Sequence, residues 1–205
     1  MSARERTVAA SDEQIAAYTI GGQPRVLGTT VELEEYDPLW PRYFEVQRAG
    51  IAGALGGRAL RIEHIGSTSV PGLAAKPVID IMLVVPDTRD ESTYVPALEG
   101  VGFRLQIREP DWHEHRALVK RRADGDDESV NLHVYRDGCV QGERDVLFRQ
   151  WLREHDDDRE LYERTKRELA GQVWKYMQNY ADAKTSVIED IRSRAGEPAG
   201  GCVSC

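Results

Sequence analysis

Residues 63–85, EHIGSTSVPGLAAKPVIDIMLVV, constrain this chain more than any other stretch. An apolar lead-in stops at Gly66-Ser67, a compact connector carries Lys76, and a β-branched and aliphatic run presents Asp80 near its start. The flanks read as two strands and the middle as a tight turn. Gly66 lets the backbone bend sharply, and the hydroxyls and N–H groups of Ser67, Thr68 and Ser69 can converge on an anion. Lys76 adds a compact positive charge. Asp80 offers a hard oxygen ligand for Mg²⁺, which takes one or two carboxylates plus substrate phosphates. The chemistry that fits is phosphoryl or nucleotidyl transfer from a nucleoside triphosphate. The same spacing also fits a polar turn running into a helix, with Thr68 or Ser69 as its cap and Pro71-Gly72 closing a loop.

These residues resemble the signature of the GrpB family, a branch of the nucleotidyltransferase-like superfamily. The likeness follows residues 63–81 almost position for position. It continues in YDPLWPRYFE at 36–45, NLHVY at 131–135, LFRQWLREH at 147–155, LYERTKRELA at 161–170 and YADAKTSVIEDI at 180–191. The resemblance implies an α/β (α+β) fold, a mixed β-sheet flanked by helices with a C-terminal helical segment. It places Gly66 and Ser67 on the motif turn and Asp80 at the first carboxylate of a paired-acid strand. The superfamily carries a second acid two residues later, on the same face. This chain has Met82 there, a departure that bears directly on two-metal catalysis. The activity implied is metal-dependent transfer from a nucleoside triphosphate to a small-molecule acceptor, an ATP-dependent ligase falling within the same class. A catalytically degenerate nucleotide- or coenzyme A-binding protein is the competing implication, and a scaffold using its C-terminal helices is a third.

A second metal ligand or base is available further along. Alternation through residues 130–135 puts Asn131, His133 and Tyr135 on one face and Val130, Leu132 and Val134 on the other. If that strand pairs with the one bearing Asp80, Asp80 and His133 can hold one cation together, or His133 can take the proton of an attacking hydroxyl. An imidazole ligand admits Zn²⁺ or Ni²⁺ beside Mg²⁺ or Mn²⁺. The alternative is a hydrogen-bonded sheet histidine. Glu63 and His64 alternate faces just before the turn, so one of them faces the site: Glu63 as a third metal carboxylate, or His64 as a brace. His113 and His115 would share a face if their segment were a strand. Arg149, Lys166 and Lys184 recur in helical segments and are candidate phosphate contacts, though singly each also reads as a surface charge.

The 205 residues, 40% hydrophobic, suffice for one core. The expected division is a polar leader over 1–26, one domain over 27–194 and a flexible tail over 195–205. A formal charge of −8 from 27 basic and 35 acidic residues argues against a broad nucleic-acid surface, while leaving room for a small nucleotide in a local positive pocket. No apolar run reaches membrane-spanning length and the start lacks a signal-peptide core, so a cytoplasmic location is expected. Cys139, Cys202 and Cys205 form no disulfide framework, and the terminal Cys-x-x-Cys lacks a second ligand pair. Further expected elements are helices at 12–18, 41–55 and 92–98, strands at 30–34 and 102–107, and a hairpin of 116–122 with 128–136. Three helices should follow from residue 143.

Overall fold

The computed structural model describes residues 9–121 and 128–196. Helices α1 (Asp12–Tyr18) and α2 (Trp40–Leu55) precede β1 (Arg61–Ile65) and β2 (Ile79–Val85), with a 3₁₀ turn over Ser67–Ser69 between those strands. Next come α3 (Val95–Glu99), β3 (Arg104–Glu109), β4 (His115–Arg121) and β5 (Glu128–Arg136). The chain closes with α4 (Val140–Glu154), α5 (Asp156–Ala170), α6 (Met177–Ala183) and α7 (Thr185–Arg194). The strands form one sheet in the order β1-β2-β5-β4-β3. Only β2 and β5 run parallel, so the sheet is mixed, as expected. Among the described residues no helix is long and apolar enough to cross a membrane.

Period-two alternation gives β2 and β5 two different faces. Ile79, Ile81, Leu83 and Val85 point one way with Val130, Leu132 and Val134, and close against Trp40, Phe44, Ile51 and Leu55 of α2 and Leu98 of α3. Each fully buried Leu or Ile there contributes about 1.5–3 kcal/mol of hydrophobic stabilisation. The opposite face carries Asp80, Met82, Asn131, His133 and Tyr135; Met82 and Tyr135 pack with Ile65, Val84 and Cys139 against Val146 of α4, while the C-terminal helices close on the β1–β2 connector through Val70, Leu73, Leu152, Tyr162 and Ile191. α2 starts with Pro41 in its first turn and stops at Gly56, whose φ of 55° suits a residue without Cβ. α1 is fixed by a capping box between Ser11 and Gln14 and reaches β3 through a bridge from Thr19 to Ile107.

Four expectations are corrected. Residues 30–34 form no strand: the segment is extended, with isolated bridges from Thr29 to Trp174 and from Glu34 to Ala75, because no strand runs beside it to complete a ladder. The helix expected at 92–98 is a 3₁₀ turn at Glu91–Thr93 followed by the five-residue α3, whose early Pro96 lacks the N–H needed to carry the helix back into that turn. The C-terminal region holds four helices, since the third amphipathic stretch breaks at Lys184. His113 and His115 do not share a strand face: His113 and Glu114 take φ of 53° and 50° in a turn, and only His115 enters β4. The acidic run at 123–127 and Cys202 and Cys205 lie outside the described residues.

Candidate functional site

The β1–β2 turn is built around one carboxylate. Ile65 at the end of β1 lies opposite Asp80 in β2, and Gly66 follows with φ +69°. A Cβ on Gly66 would sit 2.4 Å from Asp80 Oδ2, so glycine serves both the backbone conformation and the space for the carboxylate. The three hydroxyls after it divide their work. Thr68 Oγ1 donates to the Val78 carbonyl (3.2 Å) and meets His64 Nε2 (3.1 Å), while Ser69 Oγ donates to the Gly66 carbonyl at 2.5 Å. These two brace the turn. Arg153 donates twice to the Ser69 carbonyl, at 3.0 and 2.6 Å, and Arg149 Nη1 donates to the His64 carbonyl at 2.7 Å. The turn is thus tied down from α4.

Ser67 points elsewhere. Lys166 Nζ donates to its Oγ at 3.1 Å and also to the Ala74 carbonyl. Lys166 is 2% exposed, and burial drives its pKa down to about 7, with the charge of Lys184 pushing the same way. Lys184 Nζ lies 4.6 Å above the Tyr180 ring; burial lowers its pKa against the opposing pull of Asp80. Lys166, bonded to Ser67, and Lys184, whose charge is felt at Lys166, are both desolvated, so an anion near them would favour their charged forms. Lys76 is half-buried in the connector four residues before Asp80, its carbonyl accepting from Val78 N at 2.7 Å.

Asp80 and His133 do come together. The parallel register sets Asp80 opposite Asn131 and Met82 opposite His133, so all four side chains share one face. Asn131 Nδ2 donates to Asp80 Oδ1 at 2.9 Å, and His133 Nε2 lies 4.0 Å from the same oxygen. Asp80 and His133 keep 29% and 30% of their side-chain surface exposed. Met82, opposite His133 and next to Asp80 on the face, is completely buried under α4, where a Cβ on Gly142 would meet its Sδ at 2.9 Å. Burial and then the neighbouring His115 hold the His133 pKa below its ordinary value, favouring a neutral imidazole.

Glu63 shares this face, but its carboxylate is engaged by Arg61 Nε and Arg149 Nη1, both at 3.0 Å. Burial pushes its pKa up and the two guanidiniums outweigh that, leaving it below the usual range. His64 faces the other way, stacked on Phe44 with ring centroids 4.8 Å apart, and burial lowers its pKa to about 4. Among the described residues no group of three or more His, Cys, Asp or Glu is placed to hold a metal ion. The donor set at Asp80 and His133 therefore fits a cation only as a two-ligand site completed by substrate oxygens and water.

Comparison with known proteins agrees with this architecture. The family model described as GrpB protein matches residues 30–194. The chain belongs to the GrpB family. A UPF0157 protein of Halalkalibacterium halodurans is 48% identical over 185 residues, covering 90% of this chain and 92% of its own. A UPF0157 protein of Streptomyces coelicolor is 43% identical over 182 residues, covering 89% and 92%. The crystal structure of conserved protein GrpB from Enterococcus faecalis superposes with a TM-score of 0.70 at 30% identity, covering 80% of this chain and 96% of that one.

Several residues of this GrpB-family site escaped the sequence reading. Asn131 was placed on the His133 face, but its bond to Asp80 depends on the β2–β5 register. Glu109 and His115 form a buried pair, with His115 Nδ1 2.7 Å from Glu109 Oε2, and His115 Nε2 lies 3.1 Å from His133 Nδ1. The clue was the compact EPDWHEH segment, which is too short between strands to avoid folding back on itself. Arg153 gave no signal beyond being one more basic residue on a helix.

Proposed function

We propose that this GrpB-family chain is a metal-dependent nucleotidyltransferase-like enzyme that uses a nucleoside triphosphate to modify or activate a small-molecule acceptor. The observation that carries the reading is Asp80, held over Gly66, with His133 Nε2 4.0 Å from its Oδ1 and Ser67 bonded to the buried Lys166 on the adjoining turn. Phosphate oxygens would be received by Ser67, Lys166 and Lys184, which lie where an anion relieves the desolvation of both amines. A divalent cation on Asp80 and His133 would supply charge neutralisation for the triphosphate, with Mg²⁺ or Mn²⁺ favoured by the carboxylate and Zn²⁺ or Ni²⁺ by the imidazole. An acceptor hydroxyl, amine or carboxylate forms a bond to the α-phosphorus while the bond to the bridging oxygen breaks and pyrophosphate leaves. The alternative to metal ligation is that the cation rests on Asp80 alone and the free Nε2 of His133 takes the proton of the nucleophile.

Titration calorimetry with ATP, GTP, CTP and UTP, with Mg²⁺, Mn²⁺ or no metal, tests the first half of this reading. Metal-dependent binding that disappears in Asp80→Ala, with the circular dichroism spectrum unchanged, is the expected result. Absence of binding under every condition would overturn it. Met82 favours a second reading, in which the chain holds a nucleotide or a coenzyme A-like ligand without turnover. Its buried position under α4 leaves no open place for a second carboxylate. Pyrophosphate release during an acceptor screen separates the two.

A further inference from the structure

We propose that Glu109 and His115 are positioning residues that fix the tautomer of His133, so that an unprotonated Nε2 faces Asp80. The proposal builds on the assignment of Asp80 and His133 as the reacting pair, and it holds whether His133 serves as metal ligand or as proton acceptor, because both roles need that lone pair.

The argument runs outward from the buried end. Glu109 and His115 keep only 6% and 5% of their side-chain surface exposed, and Glu109 Oε2 lies 2.7 Å from His115 Nδ1. An ionised carboxylate only accepts, so His115 Nδ1 carries the hydrogen. A neutral imidazole has one N–H, which leaves His115 Nε2 as an acceptor. His133 Nδ1 is 3.1 Å from that nitrogen and must be the donor. His133 Nε2 is then bare. It lies 4.0 Å from Asp80 Oδ1, an oxygen that already accepts from Asn131. Two acceptors thus face each other across a gap too long for a hydrogen bond, a space suited to a cation or to the X–H of a nucleophile.

The fold holds this order in place. Glu109 and His115 are directly opposite each other where β3 meets β4, joined by the turn that puts His113 and Glu114 at positive φ. Trp112 in that turn packs edge-on against the His115 ring, with centroids 5.3 Å apart, and Tyr135 lies at 5.0 Å on β5. Left-handed backbone at two consecutive residues with side chains is a cost that surrounding structure must offset. Here it lets a strand-end carboxylate reach a strand-start imidazole.

The test is direct observation of the tautomer. Two-bond ¹H–¹⁵N correlation spectra of the full chain labelled at histidine, recorded at a pH where the imidazoles are neutral, should show His133 protonated at Nδ1 and bare at Nε2. In His115→Phe, which keeps a ring against Trp112, the Nε2–H form should become the major one. Glu109→Gln, whose amide can donate as well as accept, should give a mixture. A wild-type His133 in the Nε2–H form overturns the proposal whatever the variants do, as does an Nδ1–H form that persists in both. In an acceptor assay, Glu109→Gln should lower kcat about 10–100-fold with little change in KM for the nucleotide. Absence of turnover alongside the expected tautomers would sink the transferase reading and leave the tautomer assignment standing.

Discussion

The two faces of β2 and β5 are made by the same strands and obey different rules. On one, Ile79, Ile81, Leu83, Val130, Leu132 and Val134 meet α2 and α3 in a dry core, where each side chain needs only to be apolar and of suitable size. On the other, Asp80, Asn131 and His133 matter through individual atoms, at 2.9 and 4.0 Å, beneath helices that contribute Arg149, Arg153, Lys166 and Lys184. The first face stabilises the fold. The second contains groups that burial disfavours, desolvated amines above all.

That contrast breaks if substitutions on the two faces behave alike. Leu132 has no exposed surface, and Leu132→Ala should lower unfolding stability by about 2–5 kcal/mol in urea denaturation, through lost burial plus the cavity left behind. Gly66→Ala should cost about 1–3 kcal/mol, because the new methyl group meets Asp80 and φ is +69°. Stability equal to wild type would mean that the carboxylate steps aside freely and the glycine is not required by it.

His64 sharpens the comparison from the dry side. Its folded pKa of about 4 lies below the ordinary value of 6.5, so the unfolded chain binds the proton more readily. Its contribution to stability is complete above about pH 6.5 and is lost as pH falls towards 4, with a slope of up to about 1.4 kcal/mol per pH unit. In His64→Gln that part of the slope should vanish from denaturation midpoints measured between pH 4 and 7; an unchanged slope would show that His64 takes up its proton without unfolding. The smallest expected stability effect belongs to Lys166→Met. Relief of a buried ammonium offsets the lost bonds to Ser67 and Ala74, so stability should stay within about 1 kcal/mol of wild type. Nucleotide affinity, measured by calorimetry, should fall about tenfold or more. A large loss of stability with binding intact would make Lys166 a structural residue.

The glycine, the serine and the acid of the turn were legible in the sequence because they sit within one short segment, where spacing and turn chemistry act locally. The common face of Asp80 and His133 was legible too, given alternation and the condition that their strands pair. The strand expected at 30–34 shows the limit of that reasoning: its residues are extended, yet they meet only single bridges to Trp174 and Ala75. The basic residues of the C-terminal helices looked equivalent in one dimension. In the fold, Arg149 and Arg153 hold the turn from outside, while Lys166 reaches Ser67 from within.

What the sequence by itself determined is the alternation of the strands, the tight turn at Gly66 and, once their strands pair, the common face of Asp80 and His133. These follow from backbone periodicity and from glycine's freedom at positive φ, both properties of neighbouring residues. Only the tertiary structure decided that Asn131 grips Asp80, that Met82 is sealed beneath α4, and that Glu109 and His115 stand behind His133. Those contacts depend on strand register and on the docking of elements far apart in the chain, where a shift of one residue turns every side chain to the opposite face.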